Sequence, residues 1–307
     1  MTEARFTSRP REGDRDLARM YELAASAPSD ALHVADLPWR LASPSAAMPE
    51  RTRLWEDTSG TLVAWAALQF SWHCLDYATR LDALSDELEA AVLAWAGERL
   101  AAEDVDRAER LPFYVSAGKR DVARIAAIER AGFARAGWGY VRLVRSLDQP
   151  IPEHKLPAEF AVRPLAGERE VDAYVAAHRA AFGSANMTVD WRQATLRDPR
   201  YIPELDLVAI APEGTIVGFC VCWITPPLDA VGGRRVAQIE PLGVLPEYQR
   251  RGLGRALLLE GCRRAKARGA DRMEVDAVSD NSASQEAYKA IGFRPALEAP
   301  FFLRTFG

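Results

Sequence analysis

Gln249-Arg250-Arg251-Gly252-Leu253-Gly254 places two glycines among cations, with Arg255 directly after, between an apolar strand-like run from Val236 to Leu245 and an amphipathic helical pattern. Glycines at a strand-to-helix turn let backbone N–H groups approach an anion closely, and a helix start adds unpaired donors and partial positive charge. That is the chemistry of a pyrophosphate cradle. Arg250, Arg251 and Arg255 extend it toward a further phosphate, so the phosphate pattern of coenzyme A fits. A solvated basic turn has the same local composition, and the flanking residues must decide between the two.

Those flanks are Ile239-Glu240-Pro241-Leu242-Gly243-Val244-Leu245-Pro246-Glu247-Tyr248 before the loop and Asn281-Ser282-Ala283-Ser284-Gln285-Glu286-Ala287-Tyr288-Lys289-Ala290-Ile291-Gly292-Phe293 after it. Pro241 lacks a ladder N–H and Gly243 lacks a side chain, which suits either a bulge beside a ligand or an irregular edge strand. Together these segments resemble the GNAT family of acyl-CoA N-acyltransferases, in a Q/R-x-x-G-x-G/A loop and a following tyrosine with a Gly-Phe pair. The resemblance runs from about Ala237 to Pro295. It implies a pantetheine arm lying as a pseudo-strand along Leu242, Gly243 and Val244, bonded by the backbone of Leu242 and Val244. It further implies a diphosphate held by Gln249, Arg250, Arg251, Gly252, Leu253, Gly254 and Arg255, with Asn281 and Ser284 bonding the arm or capping their helix.

Acyl transfer from a thioester to an amine needs a neutral amine, a stabilised oxyanion and a proton for the departing thiolate. The resemblance assigns the base to Glu240 and the acid to Tyr288. By residue type alone, Glu240 also suits a solvated or ion-paired strand face and Tyr288 an amphipathic helix core. The implied co-substrate is acetyl-CoA, and the implied acceptor a primary amine of a small molecule or peptide. Phe182, Met187, Trp191 and Trp223 are candidate acceptor-lining residues, and Asp190 and Asp198 candidate amine anchors. Chain length and tandem layout are also similar to mycothiol synthase, which implies a cysteinyl amine as an alternative acceptor. A catalytically silent acyl-CoA sensor is the rival class.

The 307 residues, 49% hydrophobic and 27% charged, suit two soluble globular domains, and the net charge of −4 argues against a basic nucleic-acid face. The N-terminus has no apolar signal core and no apolar run approaches a membrane span, so a cytoplasmic protein is expected. Cys220 and Cys222 alternate onto one face of a strand-like run and read as small buried hydrophobes; Cys74 and Cys262 show no pairing pattern. His33, His73, His154 and His178 are scattered. No metal and no disulfide are expected.

Arg9-Pro10 recurs as Arg163-Pro164, and Gly60-Thr61-Leu62-Val63-Ala64 as Gly214-Thr215-Ile216-Val217-Gly218, both at an offset of 154. Gly132-Phe133 answers Gly292-Phe293 at 160, so six extra residues, net, fall in the second copy around the glycine-rich loop. The proline-spaced stretch from Leu147 to Pro157 reads as a linker. The expected organisation is α/β, with two tandem GNAT-like domains at 1–149 and 150–307, each a mixed, splayed sheet flanked by helices. In the first copy no Gly-x-Gly precedes the helix; Ser85 should cap it, and Asp82, Asp86 and Glu87 would repel a diphosphate. At the 160 offset Tyr288 becomes Ile128 and Asn281 becomes Asp121, so the second motif's polar groups are expected to be lost as well.

Overall fold

The computed structural model describes residues 5–306 apart from 28, 81, 84, 103–110, 154–155 and 226–232. His154 therefore lies outside the described residues. The chain forms two compact units, one of residues 1–141 with 297–307 and one of residues 142–296. These units differ from the repeat boundaries at two places: residues 142–149 lie with unit 2, and the C-terminal 297–307 with unit 1. The linker region is held to unit 2, since the Pro150 and Pro152 carbonyls accept from Arg145 Nη2 (2.6 Å) and Arg263 Nη2 (2.9 Å).

Unit 1 contains β1 (Phe6–Pro10), α1 (Gly13–Ser26), α2 (Leu37–Leu41), β2 (Thr52–Asp57), β3 (Leu62–Gln69), β4 (Cys74–Thr79), α3 (Asp86–Ala101), β5 (Phe113–Ser116), α4 (Val122–Arg130) and most of β6 (Ala134–Ser146). Unit 2 contains β7 (Ala161–Pro164), α5 (Val171–Phe182), α6 (Val189–Arg197), β8 (Asp206–Ile210), β9 (Ile216–Ile224), β10 (Val236–Val244), α7 (Leu253–Ala267), β11 (Arg272–Val278), α8 (Ser282–Lys289) and the start of β12 (Arg294–Arg304). The order of helices and strands is the same in both. β12 is one strand that runs through Pro300.

The repeat extends to side-chain geometry. Arg9, at the end of β1, grips Asp16 at 2.6 and 2.8 Å, and Asp16 accepts the Glu12 N–H at 2.7 Å. In unit 2, 154 residues on, Arg163 grips Glu170 at 2.9 and 2.6 Å, and Glu170 accepts the Ala166 N–H at 2.8 Å. In each copy a carboxylate staples the first strand to the following helix with charge-assisted bonds.

In each unit the strands pair in a mixed pattern, with one parallel pair in unit 1 between β4 and β5. In unit 2 the order is β11-β10-β9-β8-β7, antiparallel except for the parallel β10–β11 pair. That pair spans only Val236↔Arg272 to Gln238↔Glu274, after which the strands splay. β9 is buried along nearly its whole length, with Cys220 and Cys222 on the face that meets α7, where their sulfurs lie 3.9 Å apart. Opposite residues share a face, so Phe219, Val221 and Trp223 form the other face with Gln238 and Gly243, and α5 packs there through Tyr174, 5.1 Å from Phe219.

Candidate active site

β10 carries the irregularity its sequence suggested. Its register with β9 shifts between Ile239 and Leu242, where the Glu240–Pro241 peptide is cis, leaving one extra residue on β10. Beyond the bulge, Leu242, Gly243 and Val244 pair with Cys220, Phe219 and Gly218 on the β9 edge, while their β11 edge has no parallel ladder partner. An extended ligand backbone finds free donors and acceptors on such an edge. Gly243 is fixed by packing: a Cβ there would fall within 3.0 Å of three ring carbons of Phe219.

The loop then turns into α7 through Arg250 (φ 60°) and Gly252 (φ 83°), both left-handed. Gly252 is the N-cap of α7 and no side chain caps the helix, so the first-turn N–H groups are available to an anion. Gly254 has room for a Cβ, 3.7 Å from Val244 Cγ2. Arg250, Arg251 and Arg255 are exposed beside this helix start, Arg251 over the Tyr248 ring at 5.2 Å. Leu253 anchors the turn in the core. Gln249 plays an internal part, its Nε2 donating to the Val244 carbonyl at 3.1 Å.

Asn281 caps α8, its Oδ1 accepting from Ser284 N–H at 3.1 Å, and Ser284 Oγ returns a bond to the Asn281 carbonyl at 3.1 Å. In this structure both side chains thus serve the helix start. Tyr288 is buried on α8 with its ring 5.8 Å from Phe293. Burial pushes its phenol well above the usual tyrosine range, and the nearby Cys220 and Glu240 push the same way. Glu240 is half-buried at the bulge, its carbonyl held by Trp223 Nε1 at 3.0 Å.

The acceptor-side candidates divide. Trp223 lines the α5 face of the sheet, and Phe182 is 49% exposed at the end of α5. Met187 and Trp191 are buried, whereas Asp190 is exposed on the first turn of α6 and Asp198 is held by Arg200 at 2.6 and 2.7 Å. The acid actually buried on this side is Asp206, paired with Arg192 and accepting from Tyr201 Oη at 2.7 Å; Arg192 also stacks 3.7 Å over the Tyr174 ring. Sequence offered one signal for this cluster, a charged residue opening the otherwise apolar Asp206-Leu-Val-Ala-Ile strand.

The corresponding part of unit 1 is built differently. β3 and β4 pair through six consecutive residues with no bulge, from Ala64↔Thr79 to Gln69↔Cys74. Ser85 Oγ caps α3 by accepting from Leu88 N–H at 3.2 Å, and Asp86 follows in its acidic first turn. Ser284 is replaced by Arg124 at the 160 offset, and that buried guanidinium bonds Glu89 at 3.0 Å and Thr79 at 2.7 Å while lying 4.6 Å over the Tyr77 ring. Tyr77 Oη closes the network on Glu89 at 2.9 Å. One expectation is corrected here: Asp121 keeps the capping role of Asn281, its Oδ1 accepting from Arg124 N–H at 3.1 Å, because an aspartate serves an N-cap as well as an asparagine.

β10 is thus bulged, β10 and β11 splay apart beyond their short parallel ladder, and α7 starts at Gly252 with no side-chain cap. Residues 171–293 match the acetyltransferase (GNAT) family model, and that segment of the chain is related to this family. Among curated proteins it is similar to the mycothiol acetyltransferase of Saccharomonospora viridis, 28% identical over 64% of this chain and 65% of the relative, and to that of Kineococcus radiotolerans, 34% identical over 53% and 54%. The matched stretches thus span between about half and just under two thirds of these relatives. Among solved structures, a GCN5-related N-acetyltransferase from Sphaerobacter thermophilus (TM-score 0.66, 18% identity, 100% of this chain and 97% of that one) shares the fold. So does a tandem GNAT protein from the clavulanic acid biosynthesis pathway (TM-score 0.64, 15% identity, 98% and 99%). No helix among the described residues is long and apolar enough to cross a membrane, and no group of three or more His, Cys, Asp or Glu among them could hold a metal ion.

Proposed function

We propose that unit 2 transfers an acetyl group from acetyl-CoA to a primary amine by direct attack. The observation that carries this reading is the bulge at Glu240–Pro241 beside the unladdered edge of Leu242 to Val244. Pantetheine would bond the Leu242 and Val244 backbone as an added strand. One of these N–H groups would meet the thioester oxygen as charge develops on it. The diphosphate would take the first-turn N–H groups of α7, with Arg250, Arg251 and Arg255 around it. Glu240 would accept the amine proton, and Tyr288, kept protonated by burial, would give a proton to the departing thiolate.

The names of the curated relatives support a narrower reading, in which the acceptor amine is the cysteinyl amine acetylated to make mycothiol. The experiment is to incubate the full chain with acetyl-CoA and a panel of amines that includes des-acetyl mycothiol, following free thiol release. Release that depends on an amine and is lost in Glu240→Gln supports transfer. Tight acetyl-CoA binding without release from any amine would favour a silent sensor.

A further inference from the structure

Unit 2 satisfies its buried polar side chains well except on one face. Among the described residues, its buried side-chain atoms with no hydrogen-bond partner are Tyr174 Oη, His178 Nδ1, Arg192 Nε, Asp206 Oδ1, both amide atoms of Gln238, and Arg272 Nε, the last of these ion-paired with Glu274 at 2.6 Å. Tyr174, Asp206 and Gln238 are wholly inaccessible to solvent. All three lie on the α5 side of the sheet: Gln238 opposite Trp223, Asp206 opposite Val221, and Tyr174 against Phe219. Glu240 lies within electrostatic reach of Tyr174. Orphaned buried donors and acceptors are costly. Their concentration on one face of the sheet points to partners supplied from outside the chain.

One stripe of α5 runs from this face to the surface. Tyr174, His178 and Phe182 stand at i, i+4 and i+8 on α5, one stripe of the helix, and pass from wholly buried through half-buried to 49% exposed. Their rings form a continuous wall with Phe219, Phe182 4.8 Å from His178 and His178 stacked on Phe219 at 5.4 Å and 16°. Gly243, on the acyl side of the bulge, is directly beneath Phe219.

Resting on the acetyl-transfer reading above, we infer that Tyr174, Asp206 and Gln238 form an acceptor-recognition site for amines that carry hydroxyl or amide groups on neighbouring carbons. The unpartnered set contains both donors and acceptors: a phenol, a carboxylate oxygen and a carboxamide. A hydroxyl or amide can satisfy both kinds, whereas a bare alkyl chain satisfies neither and leaves the site's polar groups desolvated. The aromatic wall accommodates the carbon skeleton. Arg192, stacked on Tyr174 and paired with Asp206, is a positioning residue that holds the two in place.

The test uses the full chain with acetyl-CoA and two matched pairs of probes: glucosamine against cyclohexylamine, and serinamide against butylamine. The hydroxyl- and amide-bearing member of each pair should show at least a tenfold higher kcat/KM. In Tyr174→Phe and Gln238→Leu that preference should shrink to about twofold while the acetyl-CoA Kd stays unchanged. Without substrate, both variants should have melting temperatures equal to or above the parent, because each removes an orphaned polar group. Equal rates for both members of a pair, an undiminished preference in the variants, or a fall of several degrees in either melting temperature would overturn the inference. Failure to transfer to any amine despite acetyl-CoA binding would instead overturn the acetyl-transfer reading, and the melting temperatures would still decide whether these groups are orphaned.

Discussion

The Phe219 ring sits so close to Gly243 that no Cβ fits between them, and this contact links the aromatic wall of α5 and β9 to the bulged strand β10. Gly243 is not in a left-handed conformation, so the demand is steric. Gly243→Ala should destabilise unit 2 by about 1–3 kcal/mol as an overpacking change and weaken acetyl-CoA binding by displacing the strand edge. Phe219→Leu, combined with it, should recover most of that stability. A double-mutant cycle in denaturant gives the coupling; simple additivity would show that the ring does not dictate the glycine.

Tyr288 is buried beside Glu240 with its phenol pushed upward, so it stays protonated across the neutral range. Tyr288→Phe keeps the packing against Phe293 and removes the proton. Turnover should fall on the order of a hundredfold with acetyl-CoA affinity little changed. The alkaline side of the parent's pH–rate profile should show no break near 10. Unaltered turnover in the variant would remove Tyr288 from the mechanism.

Burial, reinforced by the Arg192 and Arg179 cations, pulls the His178 imidazole down to about 4. The unfolded chain takes up a proton near 6.5, but the folded one resists until about 4. The unfolded state therefore binds more protons in this window, and stability falls as pH drops from about 6.5 toward 4, with no contribution from His178 above 6.5. His73, also lowered by burial, adds in the same direction. Urea midpoints measured across this range should flatten in His178→Phe, leaving the His73 share. An unchanged slope would mean that His178 is not held neutral by the fold.

Local chemistry made much of this molecule readable beforehand. Gly252, Ser85, Asn281 and the Pro241/Gly243 irregularity act within a few residues of themselves, and each does what its type dictates. The repeat was visible because Arg9–Asp16 and Arg163–Glu170 are short-range staples within strand–helix units. Contacts between distant segments were not readable. Asp206 meets Arg192 and Tyr201 only when α6 and β8 pack, whereas sequence pointed to Asp190, which is exposed, and Asp198, which is paired with Arg200. Pro300 does not interrupt β12, since its neighbours continue the strand, with Phe301 to Arg304 paired to β5. The role of Arg124 depends on Glu89, 35 residues away.

That Arg124–Glu89 pair underlies the expectation that the chain binds one acetyl-CoA. In unit 1 the strand lacks the bulge, the helix start is occupied by the Ser85 cap, and the interior holds a guanidinium bonded to Glu89 and Thr79. The acidic side chains at the α3 start are exposed, so Asp86→Ala with Glu87→Ala removes repulsion without making a cradle. Glu89→Ala would not clear a slot either. It strands a buried Arg124 charge, which costs about 3–5 kcal/mol, and unit 1 should unfold earlier. Calorimetric stoichiometry should therefore be near one in the parent and in the Asp86/Glu87 variant. Gly252→Val should abolish the event, because a β-branched residue is strained at φ 83° and crowds the backbone donors. Two binding events, or binding that survives Gly252→Val, would mean that unit 1 takes the coenzyme despite its filled interior.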